Sequence, residues 1–139
     1  MKVILHTDGG ARGNPGPAAI GIVITIPPND KKQYSQYIGK TTNNQAEYSA
    51  LIFALKKLKQ IFGKNKIKDL EVECYLDSEL VVRQLNGKYK ILEKGLQPLF
   101  LEVWNLKIDF KNVNFNYIPR EENKEADKLV NQALNAKQL

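Results

Sequence analysis

The chain has one cysteine, one histidine, one methionine and one tryptophan in 139 residues. With Cys74 alone no internal disulfide can form. Cys74 alternates with Val72 and Leu76, so it is expected to point into the core as an inert thiol. The lone His6 lies directly before Thr7-Asp8, and no nucleophile elbow is present, which argues against a Ser-His-Asp hydrolase. Long apolar runs are also missing. Val3-Ile4-Leu5 is the only one before His6, and nothing approaches the ~18 to 20 residues of a membrane span. A soluble, cytoplasmic protein is therefore expected. With no internal repeat and no low-complexity tract, residues 1–139 should form a single domain.

Positive charge is plentiful. Lys and Arg number 21 against 15 Asp and Glu, a formal charge of +6, which suits a polyanionic partner through phosphate neutralisation. A lysine-rich soluble surface explains the same numbers, so the motifs have to decide. Strands are expected at Lys2 to Asp8, Ala18 to Ile26 and Lys32 to Lys40, too close in sequence for intervening helices and so antiparallel. Pro27-Pro28-Asn29-Asp30 marks the turn between the second and third. Helical spacing runs from Asn44 to Phe62, followed by a strand at Leu70 to Leu76 and helices at Ser78 to Leu85 and Leu96 to Leu106. A strand at Val113 to Ile118 and a helix at Lys124 to Ala136 complete the order βββαβααβα. This predicts an α/β fold with a mixed five-stranded sheet flanked by helices.

Four acids stand where these elements start or end. Asp8 closes the first strand, Glu47 follows Thr41-Thr42-Asn43-Asn44-Gln45-Ala46, Asp77 ends the fourth strand, and Asp127 opens the last helix. Each has an ordinary explanation. Asp77 could be an N-cap, Asn44 to Glu47 resembles a capping box, Asp8 could be a turn acid, and Asp127 could complement the helix dipole. Two of the acids nevertheless turn toward the core side: Glu47 shares a helix face with Leu51, Ala54 and Leu58, and Asp127 with Val130 and Leu134. An unpaired inward carboxylate is costly, and no local Lys or Arg serves all four. A metal pair would supply the missing charge. Oxygen ligands without His or thiolate favour Mg²⁺ or Mn²⁺, and two such ions support nuclease chemistry.

These residues carry a family resemblance. His6-Thr7-Asp8-Gly9-Gly10, Gly13-Asn14-Pro15-Gly16-Pro17, Thr41 to Glu47, Leu76-Asp77-Ser78 and Glu125-Ala126-Asp127 together resemble the motifs of type 1 ribonuclease H. The resemblance implies the ribonuclease H-like fold and endonucleolytic cleavage of the RNA strand of RNA/DNA hybrids with two Mg²⁺ ions, leaving a 5′-phosphate and a 3′-hydroxyl. It further implies that Asp8 bridges both metals, that Glu47 and Asp77 bind the ion on the leaving-group side, and that Asp127 binds the ion activating water. Asn14, Asn43 and Asn44 would meet the minor groove, and Thr42 a DNA phosphate. Short amides and hydroxyls suit a 2′-hydroxyl, the group that distinguishes RNA from DNA.

The chain departs from the family's pattern in two places. The loop Pro119-Arg120-Glu121-Glu122-Asn123 has no histidine, so Glu121 or Glu122 is a candidate for that role, and His6 reads as a packed strand residue. Asn86 to Gly95 joins two helices without the extra basic helix some members carry, leaving Lys88, Lys90 and Lys94 as modest phosphate contacts or solvated lysines. Double-stranded RNA is a second possible substrate, because its minor groove also displays 2′-hydroxyls. A binding module of the same fold that does not cut is the alternative function. With no exposed heptad or long apolar patch, a monomer is expected.

Overall fold

The first strand outruns one of its neighbours, and this mismatch places the site. In a computed structural model, which describes residues 1–138, β1 (Lys2–Ala11) lies at the centre of a five-stranded sheet of order β3-β2-β1-β4-β5. On one side β1 pairs antiparallel with β2 (Gly16–Ile26) along Ile4 to Ala11. On the other it pairs parallel with β4 (Glu71–Leu76), but only from Lys2 to Thr7. Asp8 to Ala11 therefore overhang the end of β4. β3 (Asp30–Thr41) and β5 (Asn112–Tyr117) form the two edges.

The expectation that Asp8 closes the first strand is corrected. Gly9 and Gly10 do not turn the chain; they pair with Ile20 and Ala19 and carry the strand to Ala11. A side chain at Gly9 would collide with the backbone of Ala46, so glycine is required there for close approach and not for a turn.

The helices are α1 (Asn43–Phe62), α2 (Glu79–Leu85), α3 (Gln97–Ile108) and α4 (Lys124–Gln138), with short 3-10 turns at Ile67–Asp69 and Arg120–Glu122. None of the described helices is long and apolar enough to cross a membrane. β2 is buried on both faces. Ile20, Ile22 and Ile24 join the main core with Leu51, Leu55 and Leu58 of α1, whereas Ala19 and Val23 meet α4 through Val130, Leu134, Ala126 and Leu129. This accounts for its nearly continuous β-branched run. Cys74 is buried in the main core, as its strand parity predicts.

Close packing of α4 requires Gly21, where an added Cβ would strike the carbonyl of Ala126 and lie 2.8 Å from Leu129 Cβ. The obstruction is backbone and cannot rotate away. Gly21→Ala is expected to cost about 1–3 kcal/mol or more in denaturant unfolding, by prising α4 from the sheet. An unchanged midpoint would contradict this packing.

Candidate active site

The overhang of β1 leaves amides on its β4 side without strand partners. The N-terminal end of α1 supplies acceptors in their place. Gly9 N donates to Glu47 Oε1 at 3.0 Å, and Ala11 N donates to Asn43 Oδ1 at 2.9 Å. The match is geometric, since four helical residues advance ~6 Å and two strand residues ~6.6 Å, so side chains spaced i, i+4 can serve amides spaced i, i+2. The capping box considered for Asn44 to Glu47 does not form. Thr42 caps α1 instead, its Oγ1 accepting from Gln45 N at 3.2 Å. Glu47 is thereby free for the sheet.

Asp8, Glu47 and Asp77 converge, each offering one carboxylate oxygen within 4.8 Å of the others. Asp127 stands outside this triad but lines the same cleft, which encloses about 410 Å³. Asp8 and Glu47 are only 7% and 6% exposed. Burial and then the neighbouring charges of Asp77 and Asp127 raise the Asp8 carboxyl to about 7, although its hydrogen bond with Glu47 pulls the other way. Burial, followed by the Asp8 charge, pushes Glu47 well above the carboxylate range. Glu47 Oε2 is buried without a partner. Three inward oxygens and an orphaned lone pair fit a divalent cation and suit no neutral ligand as well.

The sequence reading missed Asn123. It is 1% exposed, and its side-chain amide donates to Thr7 O at 2.9 Å and to Asp77 Oδ2 at 3.0 Å. It thus ties β1, the end of β4 and the start of α4 together at Asp77. Its place just before a helix suggests only a cap, and that reading hides the contact. Asn131 was also missed. Its amide donates to Asp127 O at 3.1 Å and sits 3.5 Å from Asp127 Oδ2.

The other candidate residues divide. Asn43 and Asn44 line the cleft; Asn14 Oδ1 accepts from Asn43 N at 3.0 Å, fixing its loop to the start of α1; Thr42 is the helix cap. In the turn before α4, Arg120 lines the cleft, whereas Glu121 and Glu122 are exposed and do not. His6 stacks on Tyr75 with ring centroids 5.2 Å apart, the packed strand histidine the sequence suggested. Lys88, Lys90 and Lys94 are exposed on a connection without helix.

The class defined by this sheet, its helices and its carboxylate cleft is the ribonuclease H fold. A family model described as "Reverse transcriptase-like" matches residues 6–133. A "Ribonuclease H" of Desulforamulus reducens is 32% identical over 147 positions, covering 93% of this chain and 85% of that protein. A bifunctional protein of Mycobacterium tuberculosis is 37% identical over 138 positions, but this chain spans only 36% of its length. The crystal structure of LC11-RNase H1 in complex with RNA/DNA hybrid superposes with a TM-score of 0.92 at 49% identity, covering 99% of both chains. The chain belongs to the type 1 ribonuclease H family.

Two outcomes follow. The folded protein holds a proton on Asp8 more tightly than the unfolded chain does, so the stability of the metal-free protein falls as pH rises from about 4 toward 7. Asp8→Asn should accordingly stabilise the metal-free protein by about 1–3 kcal/mol at pH 8 and lose that advantage near pH 4, as read from thermal melts in EDTA. Equal stability of the two proteins at pH 8 would mean that the Asp8 charge does not strain the fold. Asn123→Ala should weaken divalent-metal binding by about 10- to 100-fold through loss of the Asp77 contact, measured by calorimetry. Unaltered affinity would make Asn123 a fold residue only.

Proposed function

We propose that this chain is an endonuclease that hydrolyses the RNA strand of RNA/DNA hybrids, leaving 5′-phosphate and 3′-hydroxyl ends. The observation that carries the reading is the convergence of Asp8, Glu47 and Asp77 at the floor of an open cleft, with Glu47 Oε2 lacking any protein partner. The LC11-RNase H1 complex with RNA/DNA hybrid, at 49% identity, supports the substrate class.

Mg²⁺ is the proposed metal, with two ions present when substrate is bound and Mn²⁺ as a substitute. Asp8 would face both ions, Glu47 and Asp77 the one on the leaving-group side, and Asp127 the one beside the attacking water. Such a pair would supply Lewis acidity, lowering the pKa of a bound water and stabilising the leaving oxygen. The protein's own contribution is orientation. Glu47 is held by the Gly9 amide, Asp77 by Asn123, and Asp127 lies beside Asn131.

Asn43 and Asn44 on the cleft wall, with Asn14 anchored beside them, are the proposed minor-groove contacts; Thr42 at the helix start is proposed to meet a DNA phosphate. Asn43 Oδ1 is occupied by Ala11, which leaves its amide N–H groups to donate to a 2′-hydroxyl. The protein is proposed to act as a monomer in the cytoplasm.

Cleavage of end-labelled RNA/DNA hybrid, double-stranded RNA and double-stranded DNA in Mg²⁺ tests the reading. Loss of the RNA strand of the hybrid, abolished by EDTA, is expected. Asp77→Asn should reduce turnover by more than the ~10- to 100-fold typical of residues behind a metal ligand. Hybrid that binds but is not cut in Mg²⁺ or Mn²⁺ would favour a binding module, and preferential cutting of double-stranded RNA would reassign the substrate.

A further inference from the structure

Arg12 places a positive charge at the rim of the acidic cleft, and its partners are all neutral. Its guanidinium donates to Asn135 Oδ1 at 2.7 Å, Gln138 Oε1 at 2.9 Å and Asn131 Oδ1 at 3.2 Å. These acceptors share one face of α4. None of the ion pairs among the described residues includes Arg12. An arginine serving only to tie down a helix is more strongly held by a carboxylate, which accepts bidentate, charge-assisted bonds. Three amide oxygens fix the guanidinium plane but leave its full charge available. They occupy three of the five N–H groups of the side chain, so two remain for another acceptor.

The backbone around Arg12 is fixed as well. Ala11 and Asn14, its near neighbours in the turn, are both bonded to Asn43 at the start of α1. The turn therefore spans from one wall of the cleft to the other. Asn131 extends this arrangement, because the amide that accepts from Arg12 also donates to the Asp127 backbone carbonyl and sits near its carboxylate. A charge held this rigidly beside Asp127 is preorganised for an anion arriving along the cleft.

We propose that Arg12 is a substrate-positioning residue whose clamped guanidinium holds a backbone phosphate of the nucleic acid next to the one being cut. This rests on the nuclease reading above. The phosphate contributes binding and register, and no proton is transferred to or from Arg12. An ammonium cannot reproduce the clamp, because it lacks the planar fork that three separate acceptors hold in place.

The test is binding of a labelled RNA/DNA hybrid to the metal-free protein in EDTA across a series of NaCl concentrations, alongside steady-state cleavage in Mg²⁺ and thermal melts. Arg12→Gln is expected to weaken binding about 10-fold, the loss of one charge-assisted bond, and to reduce the slope of log K against log salt by about 1. KM should rise with kcat nearly constant. Arg12→Lys should recover the slope but only part of the affinity. Asn135→Ala, which loosens the clamp and keeps the charge, should leave the slope intact and weaken affinity severalfold. Wild-type affinity and salt slope in Arg12→Gln, whatever its melting temperature, would overturn the proposal while leaving the nuclease reading standing. If Arg12→Gln does not fold, wild-type affinity in both Arg12→Lys and Asn135→Ala overturns it equally. Wild-type protein that neither binds nor cuts the hybrid overturns both.

Discussion

The hydrogen bond from the Gly9 amide to Glu47 Oε1 is the contact on which the site depends. It exists because β1 continues past the end of β4 and leaves inward amides that must find acceptors or carry a desolvation cost of a few kcal/mol. α1 meets that need only if it lies close to the strand, and it lies that close only because residue 9 has no side chain. One constraint thus fixes three things together: the height of α1 over the sheet, the direction of the Glu47 carboxylate and the exposure of Asp8 to the same space. Glu47 Oε1 is held by the protein, and Oε2 is left buried without a hydrogen-bond partner.

Bringing these acids together opposes folding. Asp8 and Glu47 are both buried; burial and the charges of Asp77 and Asp127 raise the proton affinity of Asp8, and burial and the Asp8 charge raise that of Glu47. Nothing within the triad neutralises them, and none of the ion pairs among the described residues joins them to the cleft-lining Arg12 or Arg120. The rest of the fold has to tolerate this strain. A core shared among β1, β2, β4 and α1, together with the packing of α4 against Gly21, supplies the rigidity that holds the carboxylates in place. A site strained in this way without metal is preorganised for a cation, since binding one relieves repulsion that folding has already imposed.

Much of the arrangement was legible in the chain. Alternation and helical spacing placed the strands and helices of the described residues in order, and the inward faces expected for Glu47 and Asp127 bring both to one acidic cleft. Errors came where a local rule competed with a distant partner. Asp8-Gly9-Gly10 reads as a turn, yet the glycines serve close packing against Ala46. Asn44 to Glu47 reads as a capping box, yet Thr42 takes the cap and Glu47 bonds the Gly9 amide of β1 instead. Asn123 and Arg12 gave no usable signal, because their partners lie far away in sequence. Asn123 reaches Thr7 across 116 positions, and Arg12 reaches Asn131 across 119. Spacing rules describe single elements and do not describe which elements the topology brings side by side.

Protonated, buried carboxylates are what a divalent cation bound in this cleft would discharge. Calorimetric titration of the protein with Mg²⁺ at pH 6 and at pH 9, in two buffers of different ionisation enthalpy, measures that directly. Because Asp8 is raised to about 7 and Glu47 is raised with it, binding at pH 6 should release protons, and the release from Asp8 should vanish at pH 9. Binding with no proton release at pH 6, or release that persists unchanged in Asp8→Asn, would contradict the site described.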